Sequence, residues 1–325
     1  MFVRGLEQLA LRRMHRKKTR FAARVASVAT RLERSGIRAT YSIHERALSN
    51  RQSRIRFARD RPRLDDLQQR LVSDLEREGY SLITFSELFS DEGAWSAIEQ
   101  QTSCFVSETE AALSKDPDAL RVREGKEFVV RLHSYGVELA SDDPWFRVCA
   151  SRQMLDIVNT YLGLWSKLEY VDLWYSRPQP GDAGRVSSQR WHRDYNDRRL
   201  VKTFLYLVDV DEGAGPFEYV PGSAPGQARG DFWPWRPLGQ NYPPDNELER
   251  RIGSDGARVF TAPKGTLLFC NTAGFHRGGF ATARPRVLAT ATYSSPASLA
   301  ALTERSYRVS DSLDTLDEVT RFALT

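Results

Sequence analysis

The chain has 325 residues, 41% of them hydrophobic, and a formal net charge of +5. That length supports one large core, or a core with an appendage, and no apolar run reaches the roughly eighteen residues that a spanning helix needs. Three scattered cysteines, Cys104, Cys149 and Cys270, have no CxxC spacing, so neither a disulfide framework nor a zinc site is expected and a reducing, cytoplasmic compartment fits.

The charge is uneven. Residues 1–63 hold 18 Lys/Arg against 4 Asp/Glu, whereas residues 64–325 hold 29 against 38. The first segment is thus a basic appendage on an acidic domain. The opening residues, Met1 to Glu7, lack a continuous apolar stretch and a small-residue cleavage site, so a secretory signal is not expected. Over residues 6–33, Leu6, Leu9, Met14, Phe21, Val25, Val28 and Leu32 recur at helical spacing among seven basic residues from Arg12 to Arg24. Such a helix can be a solvated face, can lie against an anionic membrane surface through residues 1–35, or can neutralise nucleic-acid phosphates. Residues 34–63 read as an arginine-rich linker closed by Pro62.

A compact pattern begins at Leu64. Leu67, Leu71, Val72 and Leu75 predict a helix stopped at Gly79, followed by a strand over 80–85. Ser90 to Gly93 open a long helix through Trp95, Ile98, Phe105 and Leu113, and residues 114–127 read as a charged loop. Phe128 to Leu132 form a short apolar run, and Pro144 starts a helix reaching Leu162. Leu168 to Ser176 read as a strand on which Leu173, Tyr175 and Arg177 share one face.

The chemistry gathers at Trp191-His192-Arg193-Asp194, answered by Gly274-Phe275-His276. On an extended segment residues i and i+2 point the same way, so His192 and Asp194 can grip one ion while Arg193 turns away. Two neutral imidazoles and a carboxylate suit Fe(II) and leave three positions for a chelating co-substrate and O2. A lone His-x-Asp is a weak signal; its setting sharpens it. Strand-like Leu200 to Val208 leads to a turn at Asp209 to Pro216, and then to Phe217-Glu218-Tyr219-Val220 and Pro221-Gly222-Ser223. Lys264-Gly265-Thr266 precedes the second histidine, and Arg286 follows it by ten residues.

At these residues, over about 165–295, the sequence resembles the phytanoyl-CoA dioxygenase family of Fe(II)/2-oxoglutarate oxygenases. The resemblance implies a mainly β double-stranded β-helix, a jelly roll with flanking helices, for a domain spanning 64–325. It implies that His192, Asp194 and His276 hold iron and that Arg286 binds the distal carboxylate of 2-oxoglutarate, a task suited to a planar guanidinium. Arg284 is the nearby competitor. Tyr175, Arg177 and Lys202 are candidates for the co-substrate pocket, with core packing or a surface ion pair as the competing readings for Tyr175 and Arg177. Many members carry a serine two residues after the second histidine; here that residue is Gly278.

Between about 224 and 257 the strand pattern fails around Asp231 to Pro237 and Tyr242-Pro243-Pro244, which reads as a lid. Trp233, Trp235 and Tyr242 offer flat faces to a substrate, or staple the loop to the barrel rim. The resemblance implies hydroxylation of a small-molecule or lipid-linked substrate, with succinate and CO2 as co-products; related halogenases lack the carboxylate that Asp194 supplies. The competing classes are a non-catalytic ligand-binding relative, suggested by Gly278, and a nucleic-acid-modifying oxygenase, opposed by the acidic domain.

Overall fold

The computed structural model describes residues 36, 39–116, 126–133, 137–237, 242–244, 246–253, 255–299 and 307–325. The chain divides into two compact units, Met1–His44 and Glu45–Thr325. In the first, residues 39–44 are helical; the helix expected over 6–33 lies outside the described residues.

In the second unit the helices are α1 (Arg51–Arg59), α2 (Asp66–Glu78), α3 (Phe85–Leu88), α4 (Glu92–Lys115), α5 (Pro144–Cys149), α6 (Arg152–Leu162), α7 (Glu247–Ile252) and α8 (Glu318–Leu324). The strands are β1 (Tyr80–Thr84), β2 (Val129–Arg131), β3 (Val137–Leu139), β4 (Lys167–Ser176), β5 (Val201–Tyr206), β6 (Phe217–Tyr219), β7 (Arg258–Phe260), β8 (Thr266–Cys270), β9 (His276–Arg277), β10 (Arg286–Ser294) and β11 (Tyr307–Val309).

Local chemistry accounts for the boundaries. Asp65 accepts from Gln68 N, and the Gln68 side chain returns to Asp65 N, a reciprocal cap that starts α2. Gly79 ends α2 at φ +83, where a side chain would be strained. The single helix expected from Pro144 is two: α5 ends at Ala150, and Ser151 then caps α6 by accepting from Met154 N. The segment expected as a linker contains α1, whose Ser53 and Phe57 are buried. Phe57 joins the main core, so the compact unit begins well before Leu64.

Six strands form one antiparallel sheet in the order β1-β8-β5-β10-β4-β2. A second sheet runs β7-β6-β9 and is extended by the His192 segment, which bridges His276. Along the chain β4 lies in the large sheet, the His192 segment in the small one, β5 in the large, β6 and β7 in the small, β8 in the large, β9 in the small and β10 in the large. This alternation winds two antiparallel sheets into a double-stranded β-helix. The outer face of the large sheet packs on the helices through Val171, Leu173, Tyr175, Val201, Leu205, Phe269 and Val287. The inner face meets the small sheet, with Phe204, Tyr206, Leu268, Cys270 and Leu288 against Phe217, Tyr219 and Phe260. Both faces are therefore dry, and β8 and β10 are buried at every residue.

Candidate metal centre

His192 and His276 face each other because their backbones are paired. His192 N donates to His276 O at 2.9 Å, and His276 N returns the bond at 3.0 Å. Two residues on, Asp194 N donates to Thr272 O at 2.8 Å, so the segment stays extended and both side chains emerge on one face. Arg193 turns the other way. Its buried guanidinium donates to Ala273 O (2.9 Å) and Gly230 O (2.7 Å) and lies 3.9 Å from the centre of the Phe275 ring. It braces the ligand segment from behind, a role not visible in the His-x-Asp spacing.

One ligand atom each from His192, Asp194 and His276 lie within 4.8 Å of one another. The two imidazole centres are 4.2 Å apart. His192 Nδ1 lies 2.8 Å from Arg190 O and His276 Nδ1 lies 3.0 Å from Gly274 O. A carbonyl only accepts, so each Nδ1 carries the proton and each Nε2 keeps its lone pair for an ion. Burial lowers the pKa of His192. Burial and the neighbouring His192 together push His276 down to about 3. Burial acts to raise Asp194, but the Lys202 ammonium and the two imidazoles outweigh it and hold the carboxyl well below the usual range. Two neutral imidazoles and an ionised carboxylate are the protonation states that a divalent cation requires, so the donor set fits Fe(II).

Lys202, expected at the co-substrate, instead places Nζ 2.6 Å from Asp194 Oδ2. The same oxygen accepts from Thr272 Oγ1, also at 2.6 Å. Arg286 sits at the start of β10 on the inner face, in register with Ser176 and two residues before Leu288. Its side chain is buried and donates to Gly215 O. Among the described residues no carboxylate pairs with it, and its Nε has no partner. A Cβ added at Gly278 would lie 4.0 Å from Arg286 Nη2, so position 278 borders the guanidinium. Arg284 is exposed and pairs with Asp211.

Tyr175 and Arg177 are on the wrong side for a co-substrate pocket. Tyr175 belongs to the outer-face core, where its hydroxyl reaches Glu110 on α4 at 3.3 Å; Arg177 follows in the same phase, its N donating to Phe128 O. The inner face of β4 carries Tyr170, Asp172, Trp174 and Ser176, opposite Thr292, Thr290, Leu288 and Arg286. The hydroxyls of Thr290 and Thr292 lack partners among the described residues. Asp172 is saturated by Arg131 (2.6 Å), Tyr170 (2.7 Å) and His133 N (2.8 Å).

The region 224–257 contains α7, tied down through Glu249, which accepts from Trp191 Nε1 and from Arg277. Trp233 packs against a cluster of Trp191, Val220, Leu248 and Phe275. Trp235 Nε1 donates to Asp194 O at 2.9 Å. Both tryptophans therefore anchor the loop to the ligand segment. Tyr242 stacks on His192 with centres 5.5 Å apart and is 38% exposed, which leaves it beside the centre and open to solvent.

No family model matches this chain, and no characterised protein matches it in sequence. Solved structures of similar shape include the epimerase SnoN in complex with Fe3+, alpha ketoglutarate and nogalamycin RO, at 16% identity and TM-score 0.47 over 70% of this chain and 84% of that one. EctD from S. alaskensis with 2-oxoglutarate and 5-hydroxyectoine is 20% identical, with TM-score 0.47 over 72% and 82% of the two chains. HygX from Streptomyces hygroscopicus with nickel, 2-oxoglutarate and hygromycin B is 17% identical, with TM-score 0.43 over 71% and 88%.

Proposed function

We propose that the protein is an Fe(II)- and 2-oxoglutarate-dependent dioxygenase of the phytanoyl-CoA dioxygenase type that hydroxylates a small molecule. The observation that carries this reading is a His-Asp-His cluster in metal-binding protonation states, bordered by a buried guanidinium that among the described residues has no carboxylate partner. His192, Asp194 and His276 would hold the iron, and Arg286 would take the distal carboxylate of 2-oxoglutarate. When bound, iron and the keto acid supply the oxidation: 2-oxoglutarate and O2 become succinate and CO2, and one oxygen atom enters a C–H bond of the substrate.

The chain's own part is to bind, orient and exclude water. The carbonyls of Arg190 and Gly274 fix both imidazole tautomers. The Phe204 and Phe217 rings lie tilted with centres 4.8 Å apart, and Phe217 lies 5.7 Å from His276, an apolar floor beneath the ligands. Trp235 and α7 hold the loop over the ligand segment, and among the described residues Tyr242 is an exposed ring beside His192. Purified protein with Fe(II), 2-oxoglutarate and O2 should release succinate, and pools of small molecules should yield products heavier by one oxygen atom. Gly278, which supplies no hydroxyl beside Arg286, is what favours a binding-only alternative; iron-dependent succinate release excludes it.

No described helix is long and apolar enough to cross a membrane. The basic residues 1–35, outside the described residues, are read as a peripheral contact for an anionic membrane surface that would bring the enzyme to an amphiphilic substrate.

A further inference from the structure

We infer that Lys202 and Thr272 form a clamp that confines Asp194 to one position on the metal and thereby keeps a place for O2. This inference rests on the metal-site reading above. A free carboxylate can grip a divalent cation through one oxygen or both. Here Oδ2 is already committed: Lys202 Nζ and Thr272 Oγ1 each lie 2.6 Å from it. A carboxylate oxygen offers about two lone-pair sites, and two donors already engage this one, so Oδ1 is the atom left for an ion.

Neither donor is loosely placed. Thr272 is fully buried, and its own carbonyl accepts Asp194 N, so backbone and hydroxyl hold the aspartate together. Lys202 projects from the inner face of β5 in register with Cys270 on one side and Thr292 on the other. The clamp therefore comes from β5 of the large sheet and from the turn that follows its neighbour β8, while the imidazoles come from the small sheet.

The count of coordination positions gives the clamp its consequence. Three single-atom ligands leave three octahedral positions, two for a chelating 2-oxo acid and one for O2. A two-oxygen aspartate would take a fourth and close the O2 position once the keto acid is bound. Lys202 and Thr272 are positioning residues in this account, acting on the metal only through Asp194.

The test uses Mn(II), which binds the same ligands without turnover. Crystal structures of the Mn(II)-loaded wild type and of Lys202→Met/Thr272→Val would be paired with water-proton relaxation, which counts exchangeable metal-bound waters. The wild type should hold Mn(II) through Oδ1 alone, with Lys202 and Thr272 still on Oδ2. It should carry three exchangeable waters, falling to one on adding 2-oxoglutarate. The double variant should bind Mn(II) through both oxygens, with two waters falling to none. Thr272→Val alone, with Lys202 retained, should be intermediate, and Thr272→Ser should restore the wild-type count. A Mn(II)-loaded wild type in which Lys202 has swung away from Asp194, or in which both oxygens touch the metal, overturns the clamp even if no variant folds. Unchanged water counts in a folded double variant overturn it too. Failure of the wild type to bind Mn(II) at all is a different result, which refutes the metal site itself.

Discussion

Replacing Arg286 with methionine separates the energy of the empty pocket from that of the filled one. The guanidinium is buried, donates to one carbonyl, leaves Nε without a partner, and among the described residues faces no carboxylate. Burial lowers its pKa, the signature of a charge held away from water. An apolar side chain of similar length removes that penalty but costs the single bond to Gly215 O, about 1 kcal/mol, so the ligand-free protein should gain up to about 3 kcal/mol. The filled pocket responds in the opposite sense. A desolvated charge-assisted pair between guanidinium and carboxylate costs about 2–5 kcal/mol to break, which weakens 2-oxoglutarate binding roughly 30- to 5,000-fold. In differential scanning calorimetry with Mn(II), a ligand at a hundred times its Kd stabilises the wild type by about 2.7 kcal/mol. The variant should melt higher than wild type without the keto acid, and its ligand-induced stabilisation at that concentration should fall below about 1 kcal/mol. Arg284→Ala, which removes an exposed pair with Asp211, should keep the full rise. A variant that melts lower than wild type when empty and still responds to 2-oxoglutarate would refute the reasoning.

Four further outcomes are expected. His276→Ala should abolish stoichiometric Fe(II) binding and succinate release while leaving the circular dichroism spectrum intact, and tight binding by the variant would sink the ligand assignment. Gly278→Ser has room, since its Cβ would meet only ordinary contacts at 3.4–4.0 Å, and the hydroxyl beside Arg286 should tighten 2-oxoglutarate several-fold by isothermal titration calorimetry. Arg193→Met should lose about 2–4 kcal/mol in urea unfolding, because the carbonyls of Ala273 and Gly230 lose their donors; a loss below about 0.5 kcal/mol would show that the brace is dispensable. Deleting residues 1–44 should abolish salt-sensitive sedimentation with anionic liposomes and spare metal binding, whereas failure of the intact chain to sediment would end the membrane reading. Cutting at residue 63 is the poorer design, since it also removes Phe57 from the core.

The His192–Asp194 half of the cluster was legible in the sequence because its logic is local, whereas His276 entered only through the family resemblance. Alternation by two puts His192 and Asp194 on one face whatever the rest of the chain does, and Arg193 on the other. The α2 stop at Gly79 was legible for the same reason, since a left-handed cap is a property of one residue. The phase of β4 was not. Its residues are buried or half-buried on both faces, so nothing in the alternation of Tyr170 to Tyr175 distinguishes the barrel interior from the helix side. Only pairing with β10 turns Tyr170, Asp172 and Trp174 inward and sends Tyr175 to α4.

The arginine-rich stretch around Arg51–Arg59 lacks an apolar stripe that would mark it as structural, yet Phe57 reaches the core. By sequence Trp233 and Trp235 are substrate platforms or loop staples; packing of Trp233 on the Trp191 cluster and the Trp235 bond to the Asp194 carbonyl give both an anchoring role. Lys202 and Thr272 stand 70 residues apart and meet on one carboxylate oxygen only because β5 pairs with β8. Sequence carries the periodicity and conformational preference of each segment. Which face of a doubly buried strand points inward, and which distant side chains share an atom, is set by strand register, and register exists only after the sheets have formed.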